Sequence, residues 1–534
     1  MMNKFLIFVA VLLAGCGANQ YEKTNQIASS NPTDIRDGYS YSTNMYGSNY
    51  DGPSANVVVL LPMTGNNKTI GNNIKTSIET AFLRKPNQNI HVSFYDLSGT
   101  KTNKYDVMQN ALGENPDVII GPIFAEDAIT LREIKPSKTP VISFTSDVSA
   151  LGDNIMTMNL IPTQSIETIM QQMLNDGVKS MIILAPDDKS GGLMASVANR
   201  ASSVYDIKNN GLFYYTPNNS ESIKETAKRA SMYNARNAAN TRAREVLSDI
   251  LTRESLTPGA KYNMRKQLEK ISRTETLGDL PYDAILFLGN GEDSKTLVSF
   301  LRYYGVGNRD AAFYGTTLWN NSDITSDFTM SGAKYATLPE ISDGFNTLYS
   351  MMSGHDADLL SAFGYDAANL ALGMIYSNKD QSSYFFDPSG YNGTTGVFRI
   401  QPTGESERAL RVMELNGSGI ASMIKPTPTN FLVPLYNVKT TNLRSVPEKE
   451  LVTRGINPGD YINIPEELRK KSAYKTKTFG AHYIDNENEN SEQRYAPIQI
   501  YESDTSETVS NPEYEPVELE KISREYIDSV EINE

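Results

Sequence analysis

The residues able to do chemistry are few, and they do not assemble into a reaction centre. Histidine occurs at His91, His355 and His482, and none has another histidine, a cysteine or a set of carboxylates at metal-ligand spacing. The chain has no G-x-S-x-G elbow, no G-x-x-x-x-G-K-[ST] phosphate loop and no H-E-x-x-H pair. Gly289-Asn290-Gly291 lacks the third glycine of a dinucleotide loop and reads as a turn. Asp187 and Asp188 have the right type for acid–base work, but a carboxylate pair in a loop is ordinarily solvated. No catalytic residue, metal ligand or cofactor is therefore expected. Binding chemistry is better supplied. Small or polar residues follow each apolar run, at Met63-Thr64-Gly65, Gly121-Pro122-Ile123-Phe124, Thr145-Ser146, Pro186-Asp187-Asp188, Gly289-Asn290 and Thr316-Thr317. Their hydroxyls and amides suit a small zwitterion or sugar, with Phe124, Tyr215 and Trp319 as apolar walls. The competing explanation is that all of these are the turn and cap residues that any α/β protein places there.

The elements that position these residues alternate. Val57–Leu61 is a continuous apolar run closed by Pro62, and Ile70, Ile74, Ile78 and Phe82 then recur at helical spacing. His91–Tyr95, Asp117–Ile120 and Pro140–Phe144 read as further strands separated by helical segments, which makes one α/β lobe. A second set follows Pro162, with strands at Met181–Leu184, Leu212–Tyr215, Asp283–Leu288 and Ala311–Tyr314. In such sheets ligands sit outside the carboxyl ends of the strands, where the polar loops fall. Between residues 219 and 278 a charged stretch interrupts the alternation and reads as a helical hairpin, opened by Ser222 and Glu225 at capping-box spacing and broken at Pro258-Gly259. It carries Lys224, Lys228, Arg229, Arg236, Arg242 and Arg244, a solvated helix face or a contact surface for an acidic protein or anionic head groups. Arg229, Arg236 and Arg242 are its candidate partner contacts. A helix around Phe363–Ile375 covers a sheet, and Gly396–Ile400 with Ala409–Leu415 reads as a closing hairpin. The body spans 55–436, with lobe 1 at about 55–160 and 340–395 and lobe 2 at about 161–339 and 396–436.

The ends differ in kind. Lys4 precedes the apolar run Phe5–Leu13, which is long enough for an export signal and too short to span a bilayer. Cys16, the only cysteine, closes Leu13-Ala14-Gly15-Cys16, so no disulfide is possible within the chain. Residues 16–54 are rich in Asn, Ser, Thr, Tyr and Gly and read as a disordered tether after a signal at 1–15. Residues 437–534 read as a mostly disordered acidic tail, in which Gly455–Leu468 has the means to dock through Ile456, Tyr461 and Ile464. A formal charge of −14 argues against nucleic acid as a partner, because a phosphate backbone requires clustered Lys and Arg.

Two resemblances bear on function. Leu13–Cys16 resembles the lipobox of bacterial lipoproteins, which implies acylation of Cys16, cleavage before it and a lipid anchor. Gly17 stands where an aspartate retains many lipoproteins on the inner membrane, which implies a periplasm-facing protein on the outer membrane. From about Asn56 to Phe431, "LLPMTG", "DVIIGPIF" and "TPVISFTSD" resemble the type I periplasmic-binding-protein fold of leucine/isoleucine/valine receptors. "IILAPDD", "TETLGDLPYDAILFLG", "FYGTTLW" and "GYNGTTGVFRIQPTGESERALRVMEL" are similar to the penicillin-binding protein activators within that superfamily. The resemblance implies two lobes joined by three crossings, near Ile161, Pro339 and Gly396, with a cleft between them. It implies a lipoprotein that stimulates a peptidoglycan synthase without catalysis. The rival is the receptor of an ABC importer, contacting a permease and binding amino acids or similar solutes. Receptors of this fold hold an α-carboxylate with Ser or Thr in the first lobe, where Thr145 and Ser146 stand, and an α-amino group with an acidic residue in the second. Thr316-Thr317 occupies that acidic position here.

Overall fold

The computed structural model describes residues 31–36, 54–84, 89–252, 256–320, 324–377, 379–431, 443–444, 446–451, 456–464 and 499–500. Cys16, the export signal and most of the tether and tail lie outside them. The first lobe is built on a five-stranded parallel sheet in the order Ile90–Asp96, Ala55–Leu61, Val118–Ile120, Val141–Ser143, Ile155–Thr157. Val57–Leu61 lies between two neighbours and is buried on both faces, which is why it reads as an unbroken apolar run. The helix Lys68–Leu83 turns Ile74 and Ile78 inward and packs against the helix Leu359–Tyr376.

The second lobe has a seven-stranded sheet. Its parallel strands run Lys334–Thr337, Ala312–Gly315, Ala284–Phe287, Ser180–Pro186 and Lys208–Tyr215, and the antiparallel pair Arg411–Leu415 and Ala421–Lys425 extends it beyond Lys334–Thr337. Interior side chains of both sheets, Val57 and Val59 with Met181, Leu286 and Ala336, fall in one apolar cluster. Among the described residues no helix is long and apolar enough to cross a membrane.

Three expectations about connectivity need correction. Gly396–Ile400 pairs with Ser406–Arg408 and Tyr391–Gly393 in a separate small sheet, and Arg411–Leu415 joins the second lobe. The third crossing is therefore near Leu410 and not at Gly396. The helical insert comprises Ser220–Ala230, Tyr233–Leu251 and Pro258–Ser272. Its first helix is capped by Asn219, whose side chain accepts from the Ser222 amide at 3.1 Å, while the Ser222 hydroxyl accepts from Thr216. Pro258 opens the last helix at its first turn, after the cap Thr257, where its missing N–H costs nothing. Finally, within the expected tether, Thr33–Asp34 forms a parallel edge strand on Tyr391–Gly393 and Ile35 is fully buried. An isoleucine in a polar stretch reaches an apolar recess that composition does not reveal.

Parts of the expected tail also pack on the body. Lys449 and Leu212 exchange backbone hydrogen bonds of 2.8 and 3.0 Å at the outer edge of the second sheet, and Tyr214 donates to the Val446 carbonyl at 2.9 Å. Ile462 is buried among Leu247, Ile250 and Met264 of the insert, with Ile464 beside it. The Tyr461 hydroxyl accepts from the Asp279 amide at 3.1 Å, and Ile456 crowds Gly278. The sequence reading named these three docking residues.

Candidate interlobe site and its hinge

The first-lobe candidates follow strands of one parallel sheet and so share its carboxyl edge. Thr64 is exposed, but its hydroxyl donates to Asp96 at 2.6 Å, and the Met63 amide donates to the same carboxylate at 2.7 Å. Burial alone would raise the Asp96 carboxyl; hydrogen bonds from Ser98, Thr64 and Met63 overcome this and hold it at about 2. Gly121 is fixed by a close approach, since a Cβ there would stand 2.1 Å from the Leu60 carbonyl oxygen at a φ of +92°. Phe124 is half-buried, with Lys104 Nζ 5.5 Å from its ring centre. Thr145 is buried, its hydroxyl accepting from the Asp147 amide at 3.1 Å and its carbonyl accepting from Thr157 at 2.6 Å. Ser146 is half-buried beside it.

The second-lobe candidates share the matching edge of the other sheet. Asp187 accepts from the Thr216 hydroxyl at 2.7 Å, while Asp188 caps the helix Lys189–Val204 through the Gly191 amide at 2.6 Å. Asn290 caps Gly291–Tyr303 through the Asp293 amide at 2.8 Å. Trp319 is not a cleft wall: it is 1 % exposed in the core of the second lobe, packs on Phe287 and Tyr335, and donates to Ser294 at 3.0 Å. Tyr215 is buried in the same cluster. Its hydroxyl stands 1.8 Å from where a Cβ on Gly289 would lie, so that glycine is required by the tyrosine. Burial, with Asp293, Asp188 and Asp187 nearby, pushes the Tyr215 phenol well up. The hydroxyls of Tyr215 and Thr317 are buried with no hydrogen-bond partner among the described residues.

The proposed contact arginines separate into three kinds. Arg236 is 7 % exposed and donates to the carbonyls of Gly278, Ser231 and Gly305 at 3.1, 3.3 and 3.2 Å, so it ties the insert together and is no contact surface. Arg229 pairs with Glu448 and Glu450 of the docked tail. Arg242 remains on the surface, paired to Glu245 at 2.9 Å. Among the described residues no group of three His, Cys, Asp or Glu could hold a metal ion.

The sequence reading missed the side chains that hold the crossings. Arg408, 2 % exposed, ends the small sheet just before the third crossing. Its Nη2 donates to the Met158 carbonyl at the first crossing, and Nη1 donates to Thr395 Oγ1 at 3.1 Å. The guanidinium lies 4.0 Å from the ring centre of Phe363 and 5.0 Å from that of Phe398. Gln164 binds the same strand twice, donating to the Ser406 carbonyl and accepting from the Arg408 amide at 3.1 Å. Ser406 donates to the Asn159 carbonyl at 2.5 Å. At the second crossing the Ser342 amide donates to Thr394, whose own amide donates to the fully buried Asp366 at 2.9 Å. Burial raises the Asp366 carboxyl to about 6, against the pull of Arg408 and the Thr394 hydrogen bonds. A lone carboxylate in the apolar run of Leu359–Tyr376 was the available signal.

No family model matches the chain. It is 25 % identical over 148 residues to the penicillin-binding protein activator LpoA of Pasteurella multocida, a match that covers 27 % of this chain and 25 % of that protein. The chain thus spans about a quarter of that curated relative's length. A putative branched-chain amino acid ABC transporter protein from Rhodospirillum rubrum superposes with a TM-score of 0.52 at 16 % identity, over 70 % of this chain and all of that one. The C-domain of LpoA from Haemophilus influenzae, described as a regulator of PBP1A, superposes with a TM-score of 0.47 at 16 % identity, over 69 % of this chain and all of that domain. The chain has the type I periplasmic-binding-protein fold and resembles the penicillin-binding protein activators within it.

Proposed function

We propose that this chain is a non-enzymatic, lipid-anchored periplasmic protein that supports a peptidoglycan synthase of the penicillin-binding protein type. The observation that carries the reading is the state of the interlobe polar groups. Thr64, Thr145, Asp187, Asp188 and Asn290 each have a side chain engaged in an internal hydrogen bond or helix cap. A receptor needs such groups turned toward its ligand. The ties among Met158, Gln164, Thr395 and Arg408 favour a body that presents a fixed surface over one that closes on a solute. Similarity to the Pasteurella activator supports the partner class. Acylated Cys16 is the anchor in this reading, with the outer membrane as its site.

One observation favours the importer-receptor reading, namely the unpartnered hydroxyl of Thr317 after the strand Ala312–Gly315. The experiment pairs two measurements on the soluble mature chain. Immobilised bifunctional penicillin-binding protein is expected to retain it, and a library of amino acids and peptidoglycan fragments is expected to leave its unfolding temperature unchanged. A ligand at 100 times its dissociation constant adds about 2.7 kcal/mol of stability. A shift of that size with an amino acid, together with no retention by the synthase, refutes the proposal in favour of the receptor.

A further inference from the structure

Away from the interlobe loops, a cavity of about 450 Å³ opens at the amino ends of the strands Val141–Ser143 and Ile155–Thr157. It is walled by the end of the helix Ala125–Ile134, the Gly152–Ile155 turn, Phe386 and the hairpin tip at Pro402 and Gly404. Lys135, on this wall, is 7 % exposed. An ammonium has three donors, yet among the described residues Nζ makes one hydrogen bond, a long one of 3.3 Å to the adjacent Pro136 carbonyl, and no ion pair. Asp153 is the nearby anion, but it is exposed and makes no ion pair with Nζ, so a largely enclosed lysine on a cavity wall keeps donors free for an anion there. Arg132 stands on the same wall, oriented by hydrogen bonds from Nη1 to the carbonyls of Ser149 and Leu151 at 3.0 and 3.1 Å. Those bonds leave Nε and Nη2 without a hydrogen bond to any described residue.

We propose that this cavity is a binding site for a small organic monocarboxylate, its carboxylate held by Lys135 and Arg132 and its apolar body lying against Ile155, Phe386 and Pro402. Exposed Asp153 also lines the cavity and brings the charge of the wall to one net positive, which a monoanion neutralises, whereas a phosphate dianion would leave one desolvated negative charge uncompensated. The volume is within the range of small-molecule sites, roughly 300–1,000 Å³. Burial lowers the Lys135 ammonium from its usual range, and Asp153 opposes that shift. The site is independent of the interlobe loops and of the synthase reading.

The test titrates the full mature chain with hexanoate, acetate and inorganic phosphate by calorimetry. Hexanoate is expected to bind at one site, with acetate and phosphate each at least tenfold weaker. Lys135→Met should weaken hexanoate at least tenfold, and Lys135→Arg should restore part of the loss. Arg132→Gln gives an independent measure if the lysine variant fails to fold, with the same expected loss. Hexanoate that does not bind, that binds both charge-removing variants like the parent, or that binds no better than phosphate overturns the proposal.

Discussion

Replacing Asp366 with Asn should change how stability depends on pH, in a predictable direction. The carboxyl is fully buried in the helix Leu359–Tyr376 and accepts from the Thr394 amide and hydroxyl at 2.9 and 3.1 Å. Its folded value of about 6 lies some two units above the 3.8 of the free side chain. The folded state therefore takes up a proton before the unfolded chain does. Its contribution is fully present below the unfolded value and is lost as pH rises through about 6. At about 1.4 kcal/mol per unit the whole effect is about 3 kcal/mol, of which roughly 2 kcal/mol falls between pH 4.5 and pH 8. Urea unfolding of parent and Asp366→Asn across that range measures it. Other groups titrate in both proteins, so the quantity to compare is their difference, which should move by about 2 kcal/mol in favour of the parent at the acid end. Arg408→Met should extend the parent's pH dependence to higher pH, because the guanidinium charge now opposes the rise of the Asp366 value. Parallel stability profiles for parent and Asp366→Asn would refute the assignment of a protonatable carboxyl at the hinge.

Arg236→Met leaves three carbonyls of the insert without their donor and should cost about 3 kcal/mol, whereas Arg242→Glu should stay within about 0.5 kcal/mol; thermal unfolding distinguishes a tie from a surface charge. If Arg242 also meets the synthase, the same reversal weakens retention on the immobilised partner at unchanged stability. Ile462→Asp places a charge among Leu247, Ile250 and Met264 and should release the docked segment, read as faster proteolysis of the helices Tyr233–Leu251 and Pro258–Ser272. Gly121→Ala meets both a positive φ and the Leu60 carbonyl, and its yield of folded protein should fall sharply against a Gly65→Ala control, where φ is also positive but the space is open.

The local elements were legible because each is dictated by its own residues. The unbroken run Val57–Leu61 is short, largely β-branched and closed by Pro62, which suits a strand covered on both sides, and the stripe Ile70, Ile74, Ile78, Phe82 recurs at the spacing of one helix face. The docking residues Ile456, Tyr461 and Ile464 were visible as apolar positions in a polar tail. Partner choice was not legible. Gly396–Ile400 alternates in a way that suits either sheet, and its pairing with Ser406–Arg408 depends on neighbours far away in sequence. Trp319 and Tyr215 carry the types of a binding wall and end in the core of one lobe, because a large ring follows whatever apolar space the fold provides.

The sequence by itself determined two α/β lobes, the place of the helical insert and the polar loops after each strand, since hydrophobic period and turn chemistry are local. Tertiary structure alone decided which of those loop groups are already bonded and which arginine is a tie. Arg236 and Arg242 sit on one helix with the same chemistry, yet one is buried among three carbonyls and the other is half-exposed and paired to Glu245. It also placed Arg408 between the first and third crossings and Lys135 beside a cavity. Burial and hydrogen-bond partners arise from contacts distant in the chain, and a residue's type and spacing carry no record of them.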